Sequence, residues 1–392
     1  MRPIKTIAQL QAEILADMQN AFGVTIFSFG KVFLRALAAM LAAILYLYYL
    51  QLGLVQKNIF VDTADSEAIG GNLESWGRVK LNRNPFAARA GEYTATVTGT
   101  AASVIAINTT FKSNDNSAAP GFLFVLDAAY TLPSGTGSIT IRSFTAGLAA
   151  KLAIGNTLTA TSPISGVSAT ITITAITVEP AAAEDLERYR QRIIDAFRTE
   201  TQGGAGGDYR IWSADAQGVQ QVYPYAKSGQ SAEIELYVEA TIADSTDGKG
   251  TPSALLLAAV EAVVEFDPDT TRPLNERGRR PLGVFDIDFL PIVPLDVTVV
   301  VNNYIGLTPA IRTAIENSIA TSVNAVRPFV SSADVLADKR DIVDNNSIVA
   351  AIFNAKPGSQ FGAVQLYVDG FLVPSYTFIN GNIPFYVSTT FL

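Results

Sequence analysis

Asp286 and Asp288 stand two residues apart in VFDIDFL, so on a strand their carboxylates share one face. Paired carboxylates can hold a divalent cation or divide acid and nucleophile roles as in glycoside hydrolysis. The competing reading is the wet face of an edge strand, and the residues favour it. Asp244, Ser245, Thr246, Asp247, Gly248, Lys249 and Gly250 could wrap calcium, but the run lacks the bidentate acid needed at its far end, which leaves an exposed turn. Gly203, Gly204, Gly206 and Gly207 resemble a loop that cradles phosphate on converging N–H groups. No Lys-Ser or Lys-Thr follows and no strand precedes, so a tight joint with Asp208 capping the next helix is expected instead. Asp334, Asp338, Asp341 and Asp344, interleaved with Lys339 and Arg340, read as a solvated surface.

Other chemistries are closed by composition. The 392 residues include no histidine and no cysteine. General acid–base steps therefore lack the side chain that titrates near neutrality, and thiolate nucleophiles, thiolate metal sites and disulfides are absent. The expectation is a protein that is not an enzyme and has no cofactor. Nor does it have a group that would make pH a trigger near neutrality. A net charge of −8 argues against a nucleic-acid surface. The one dense basic cluster, Arg272, Arg277, Arg279 and Arg280, suits an acidic partner surface better. Trp76, Trp212 and the 14 tyrosines read as core or interface anchors rather than a sugar platform. With 48% hydrophobic and only 16% charged residues, much surface is expected to be covered by partners.

The elements that would carry these residues fall into four stretches, and the expected fold class is α+β, multidomain. Residues 1–60 form an N-terminal helical, bundle-forming region. Ile7, Leu10, Ile14, Leu15 and Met18 mark one helix face, while Gln9, Gln11, Glu13 and Asp17 break the apolar run a signal peptide needs. Val32 to Val55 is apolar except for Arg35 and Gln51 and long enough to span a bilayer. Its alanines and Tyr46, Tyr48 and Tyr49 suit a helix packed on all sides in an oligomeric bundle, without membrane insertion. Residues 61–180 form a β-rich domain, with TATVTGT, GSITIRSF and SATITITAITV alternating as half-buried antiparallel strands. Residues 181–292 form a first α+β unit opened by the charged helix AAAEDLERYRQRIIDAFRTE. Its Leu186, Tyr189, Ile193, Ile194 and Phe197 lie on one side. Residues 293–392 form a second α+β unit.

One ordered string of residues resembles a known family. Thr63, Ala64, Leu73, Gly77, Arg83 and Ala88 lead into the first strands, and GNTLTATSPISGV closes the β-rich domain. EDLERYRQRIIDAF is followed by QGGAGGDYRIWSADAQGVQQVYPY, in which Glu187, Tyr189, Arg190, Arg192, Ile193, Gly203, Gly204, Asp208, Tyr209, Trp212, Gly218 and Val219 carry the pattern. RRPLGVFDIDFLPIVPLDVTVVV completes it. This string is similar to the baseplate J-like family, wedge proteins of contractile phage tails and related injection systems. Pro180 to Ala183 replace the family's GG-x-D/E-E motif, and NERGRR is a longer insertion than expected.

The resemblance implies a virion protein of the tail baseplate, assembled in the host cytoplasm. It implies pairing with itself as a wedge dimer within a ring, with a second baseplate wedge protein in a trimeric helix bundle, and with sheath-initiating, tube or hub and tail-fibre components. Contraction would then come from rearranged interfaces between rigid wedges. Arg190 and Arg192 would fix the charged helix to the next unit, and Tyr189, Asp208, Tyr209, Trp212, Arg83, Tyr46 and Tyr49 would be architectural or interface residues. Two other classes compete: a membrane-anchored surface adhesin with residues 32–55 as its anchor, and a carboxylate-only hydrolase using Asp286 and Asp288.

Overall fold

The computed structural model describes residues 5–22, 28–198 and 203–392. Among them are eight α-helices and seventeen strands, an α+β protein of several parts. They divide into two compact units, one made of Met1–Pro85 with Asp185–Arg198, the other of Phe86–Glu184 with Thr199–Leu392.

The first unit is helical: α1 (Ile7–Phe22), α2 (Ser28–Ile59), α3 (Leu73–Lys80) and α4 (Leu186–Arg198). Leu10 of α1 is buried, as are Leu34, Ala38 and Ala42 of α2. The α2 residues lie four apart, so they form one stripe, and the small alanines let α1 approach closely. α2 stops at Ile59. There Thr63 Oγ1 donates to the Lys57 carbonyl at 2.6 Å and Asp65 N to Asn58 Oδ1 at 2.8 Å, bonds that turn the chain away. The expected end of the charged helix, Thr199 and Glu200, and the following Thr201 and Gln202 lie outside the described residues.

The second unit opens with β1 (Glu92–Thr98), β2 (Val104–Ile105), β3 (Thr110–Ser113), β4 (Leu123–Leu126), β5 (Tyr130–Thr131), β6 (Thr136–Ser143), β7 (Thr157–Ala160) and β8 (Thr170–Val178). Six of these close into a barrel in the order β1-β6-β4-β3-β7-β8, with β2 and β5 as a separate pair. Alternation explains the packing: Tyr93, Ala95 and Val97, with Ile139, Ile141, Ile171 and Ile173, point inward, while threonines between them face out. Closure through β1 and β8 leaves no strand edge to template aggregation.

After the barrel come α5 (Gly206–Ser213), β9 (Val219–Ala226), β10 (Glu233–Ala240), α6 (Ala254–Glu265) and β11 (Asp286–Pro291). The sheet order is β11-β10-β9, and Tyr209, Trp212, Val260 and Val264 of the helices share its core with Val222, Leu236 and Val238. Next are β12 (Val293–Val301), α7 (Pro309–Asn324), β13 (Ile342–Asp344), α8 (Asn345–Ala355), β14 (Val364–Val368), β15 (Phe371–Val373), β16 (Ser375–Thr377) and β17 (Asn382–Phe391). The sheet β15-β14-β12-β17 packs Val297, Val299 and Leu366 on Ile315, Ile319, Ile348 and Ile352 of the helices. β17 is an edge strand of ten residues, blunted where Pro384 lacks an N–H and where Tyr386 N donates to Asn324 Oδ1 at 3.1 Å.

Candidate assembly surface

The largest apolar exposure belongs to α2. Val32, Phe33, Met40, Leu47, Tyr48, Leu52 and Val55 are each more than half exposed, although the helix is long and apolar enough to cross a membrane. Among its described side chains only the Leu34–Ala38–Ala42 stripe is buried within the chain. Of the tyrosines singled out, Tyr49 is exposed and Tyr46 half-buried. Exposed apolar side chains follow one another along this single helix, so α2 offers a surface of the kind that a partner covers.

A clasp in the same unit holds four of the sequence-predicted residues. Leu73 and Gly77 on α3, and Tyr189 and Ile193 on α4, are each spaced by four, and all four are buried. Gly77 is required because a Cβ there would come within 1.6 Å of the Tyr189 hydroxyl. That hydroxyl donates to the Arg83 carbonyl at 2.6 Å, and the Arg83 guanidinium lies 5.5 Å from the Tyr189 ring centre. Arg190 Nη1 donates to the carbonyls of Val61 (2.6 Å) and Ala64 (2.7 Å), and its Nε to Glu187 (3.0 Å). Arg190 thus ties α4 to the turn that follows α2, where the sequence reading had it reach the next unit along the chain. Arg192 is half-buried on the same helix. Asp185 Oδ1 accepts from Glu187 N and Arg188 N at 3.0 Å each, capping α4.

Arg190→Ala is expected to cost about 1.5–3 kcal/mol, the range for a hydrogen-bonded charged donor. Arg190→Lys should recover only part of it, because one ammonium lacks the planar fork that spans two carbonyls. Trp76 reports on this unit, packing edge-on against Phe197 at 5.8 Å, so urea unfolding followed by its fluorescence in a Trp212→Phe background measures the loss. Equal stability of the three proteins would remove Arg190 from the clasp.

In the second unit, Asp208 is the third residue of α5, and Ala205 occupies the cap position. The expectation that Asp208 caps from outside the helix is therefore corrected. Its carboxylate reaches back to accept from Gly204 N at 2.7 Å, and it is buried. Gly203 and Gly204 have φ of +76° and +114°, which only glycine adopts without strain, so the run is a joint. Tyr209 and Trp212 pack edge to face at 5.1 Å in the core.

The acidic and basic clusters turn inward more than the sequence suggests. Asp334 takes Arg210 in a two-pronged ion pair at 2.5 and 3.0 Å, Asp341 is 3% exposed, and Asp344 forms a capping box with Ser347. Of the four acids only Asp338 is exposed, beside Lys339 and Arg340. Arg279 pairs with Asp215 (2.8 Å) and Asp267 (3.3 Å), Arg272 with Asp267 (2.7 Å), and Arg280 with Glu265. These guanidiniums close their own loop rather than await a partner. Asp286 is exposed on the edge strand β11, and Asp288 pairs with Lys227 at 2.8 Å. In the 244–250 loop, Asp247 accepts from Lys249 N and from Thr251, which makes it a turn. Among the described residues no three acids are grouped to hold a metal.

A buried polar node went unseen in the sequence. Glu239 on β10 is 3% exposed and accepts from Tyr223 Oη (2.5 Å) on β9 and from Arg327 Nη2 (3.0 Å) just after α7. Burial pushes the Tyr223 hydroxyl well above its ordinary value, reinforced by the Glu239 charge. Burial also pushes Tyr209 and Tyr225 up to about 12. Below about pH 10 these groups are neutral in folded and unfolded chains alike. Above it the unfolded chain ionises first, so stability is complete below pH 10 and is lost as pH rises toward 12. Without histidine, the urea midpoint should stay level between pH 6 and 8 and fall steeply above pH 10. A step near neutrality would contradict this assignment.

No family model matches the chain. This chain is similar to a prophage protein. It is 28% identical over 141 residues to Mu-like prophage FluMu protein gp47 of Haemophilus influenzae, a match covering 36% of this chain and 38% of that protein. The chain thus spans under two fifths of that relative. Among solved structures it resembles a chain of the anti-feeding prophage baseplate, determined by cryo-EM with six-fold symmetrisation. The identity is 10% and the TM-score 0.41, covering 95% of this chain and 90% of that one.

Proposed function

We propose that the chain is a structural subunit of a contractile-tail baseplate, phage or related injection system, working as a wedge in the ring around the tail tube. The observation that carries this reading is α2, a helix whose large apolar side chains are left uncovered by a chain that otherwise packs its cores. Similarity to a Mu-like prophage protein supports it, as does the residue string from Tyr189 to Val219. In this role α2, with Tyr46 and Tyr49, is covered in a helix bundle with a second copy and another wedge protein. The clasp of Arg83, Tyr189, Arg190 and Arg192 and the core residues Asp208, Tyr209 and Trp212 keep each part rigid, so that contraction rearranges interfaces and not folds. Turnover has no part in it.

Imaging of native tail particles by cryo-EM tests the proposal. The chain is expected in a six-fold baseplate ring, with Leu47 and Leu52 buried between helices. Density only in the capsid, or no place in the particle, would overturn it. The second reading, a membrane-anchored adhesin, draws on the 28 residues from Val32 to Ile59 that could cross a bilayer. It predicts that the chain fractionates with membranes and needs detergent, whereas a wedge subunit remains soluble with its bundle partner.

A further inference from the structure

α7 and α8 lie side by side and leave a trough of about 860 Å³ between them. Asn317, Thr321 and Ala325 repeat every four residues along one wall, and Ala350 and Asn354 do so along the other. Ser318 Oγ donates to the Ala351 carbonyl at 2.7 Å and closes the floor. No helix residue lining the trough carries charge, and only hydroxyls, carboxamides and methyls are offered.

Its end beside Ala325 and Ser347 is different. Lys339 and Arg340 are both exposed there, held in place as Arg327 N donates to the Arg340 carbonyl at 3.0 Å. Lys339 Nζ lies 3.3 Å from the carboxylate of the buried Asp341, which neutralises it. Arg340 forms no ion pair among the described residues. A neutral trough therefore ends on one uncompensated guanidinium, in a chain whose net charge is −8.

We propose that this trough binds a short extended segment of a partner protein, with an aspartate or glutamate of the segment seated on Arg340. From Asn317 to Ala325 the wall runs about 12 Å at ~1.5 Å per residue, which matches about four residues of extended chain at ~3.3 Å each. The carboxamides of Asn317 and Asn354 on the two walls, with the Ser322 hydroxyl, suit an extended backbone, whose own N–H and C=O groups are unpaired. A docking helix has no such groups to offer and would need an apolar stripe, which these walls lack. The guanidinium fork gives the carboxylate a two-bonded seat. The proposal is independent of the baseplate reading, since it rests on α7 and α8 alone.

The test uses the folded full chain and a bead library of blocked hexapeptides, followed by fluorescence anisotropy of the recovered sequences. Recovered peptides are expected to be enriched in Asp and Glu. Arg340→Glu, which reverses the charge, and Ala350→Trp, which fills the trough from an exposed position, should each weaken binding tenfold or more at an unchanged urea midpoint. Binding should also weaken as salt rises. Recovery without acidic enrichment, or affinity unchanged in both variants, would overturn the proposal. So would full competition by inorganic phosphate, which would reduce the site to a simple anion contact.

Discussion

Arg327→Met is expected to lower the stability of the second unit by about 3 kcal/mol. Breaking a buried ion pair costs about 3–5 kcal/mol because a charge is left without its partner. The lower end applies since the Arg327 side chain is 35% exposed while that of Glu239 is 4% exposed. The remaining carboxylate keeps only the Tyr223 hydroxyl, at 2.5 Å. Removing the whole node, as Arg327→Met with Glu239→Leu and Tyr223→Phe, should restore at least half of the loss, since no charge then stays buried. Urea unfolding of the single and triple variants measures both. A triple variant weaker than the single one would show that the node stabilises beyond the avoidance of an orphaned charge. A single variant as stable as the parent would remove the node from the account.

Tyr189→Ala should cost about 3–5 kcal/mol in the first unit, the range for truncating a fully buried aromatic ring. The ring is wholly buried against Leu73, Ala64 and Ile193, so deletion leaves a cavity between α3 and α4. Tyr189→Phe keeps the ring and loses only the bond to the Arg83 carbonyl, for about 1 kcal/mol. Gly77→Val attacks the same contact from the other side, and overpacking puts its cost at about 1–3 kcal/mol. Hydrogen exchange of α3 and α4 separates these outcomes from global unfolding. Protection lost in both helices for Tyr189→Ala and retained for Tyr189→Phe is the expected pattern. Equal loss in the two variants would mean that the hydroxyl, not the ring, holds the clasp.

Much of the second unit could be read from the sequence, because local rules govern it. Alternation in GSITIRSF and SATITITAITV marked β6 and β8. β17 was missed. NIPFYVSTTF contains a proline and no clean alternation, and it becomes a strand through its parallel pairing with β12. α3 was missed for a similar reason: only eight residues long, it is held by Leu73 and Gly77 against Tyr189 and Ile193, more than a hundred positions away.

The site residues divide in the same way. Gly203 and Gly204 were legible as a joint, because positive φ leaves few other residues to choose from. Asp208 was read as a helix cap, Asp341 as solvent-facing, and the arginines from Arg272 to Arg280 as facing an acidic partner surface. Charge in a sequence predicts exposure unless a partner is known, and their partners are set by loops that only the fold brings together. Glu239, Tyr223 and Arg327 gave no signal at all: the acid and the arginine are separated by 88 positions.

Composition alone determined what chemistry is missing, since no folding can supply a histidine or a cysteine. It also determined that apolar surface would be left over, because α2 has more large apolar side chains than one neighbouring helix can cover. Tertiary structure alone decided that six strands close into a barrel, that Arg190 ties α4 to the turn after α2, and that one arginine ends a neutral trough uncompensated. Each of these is a pairing across sequence distance, and chain periodicity carries no information about which distant partner a residue will meet.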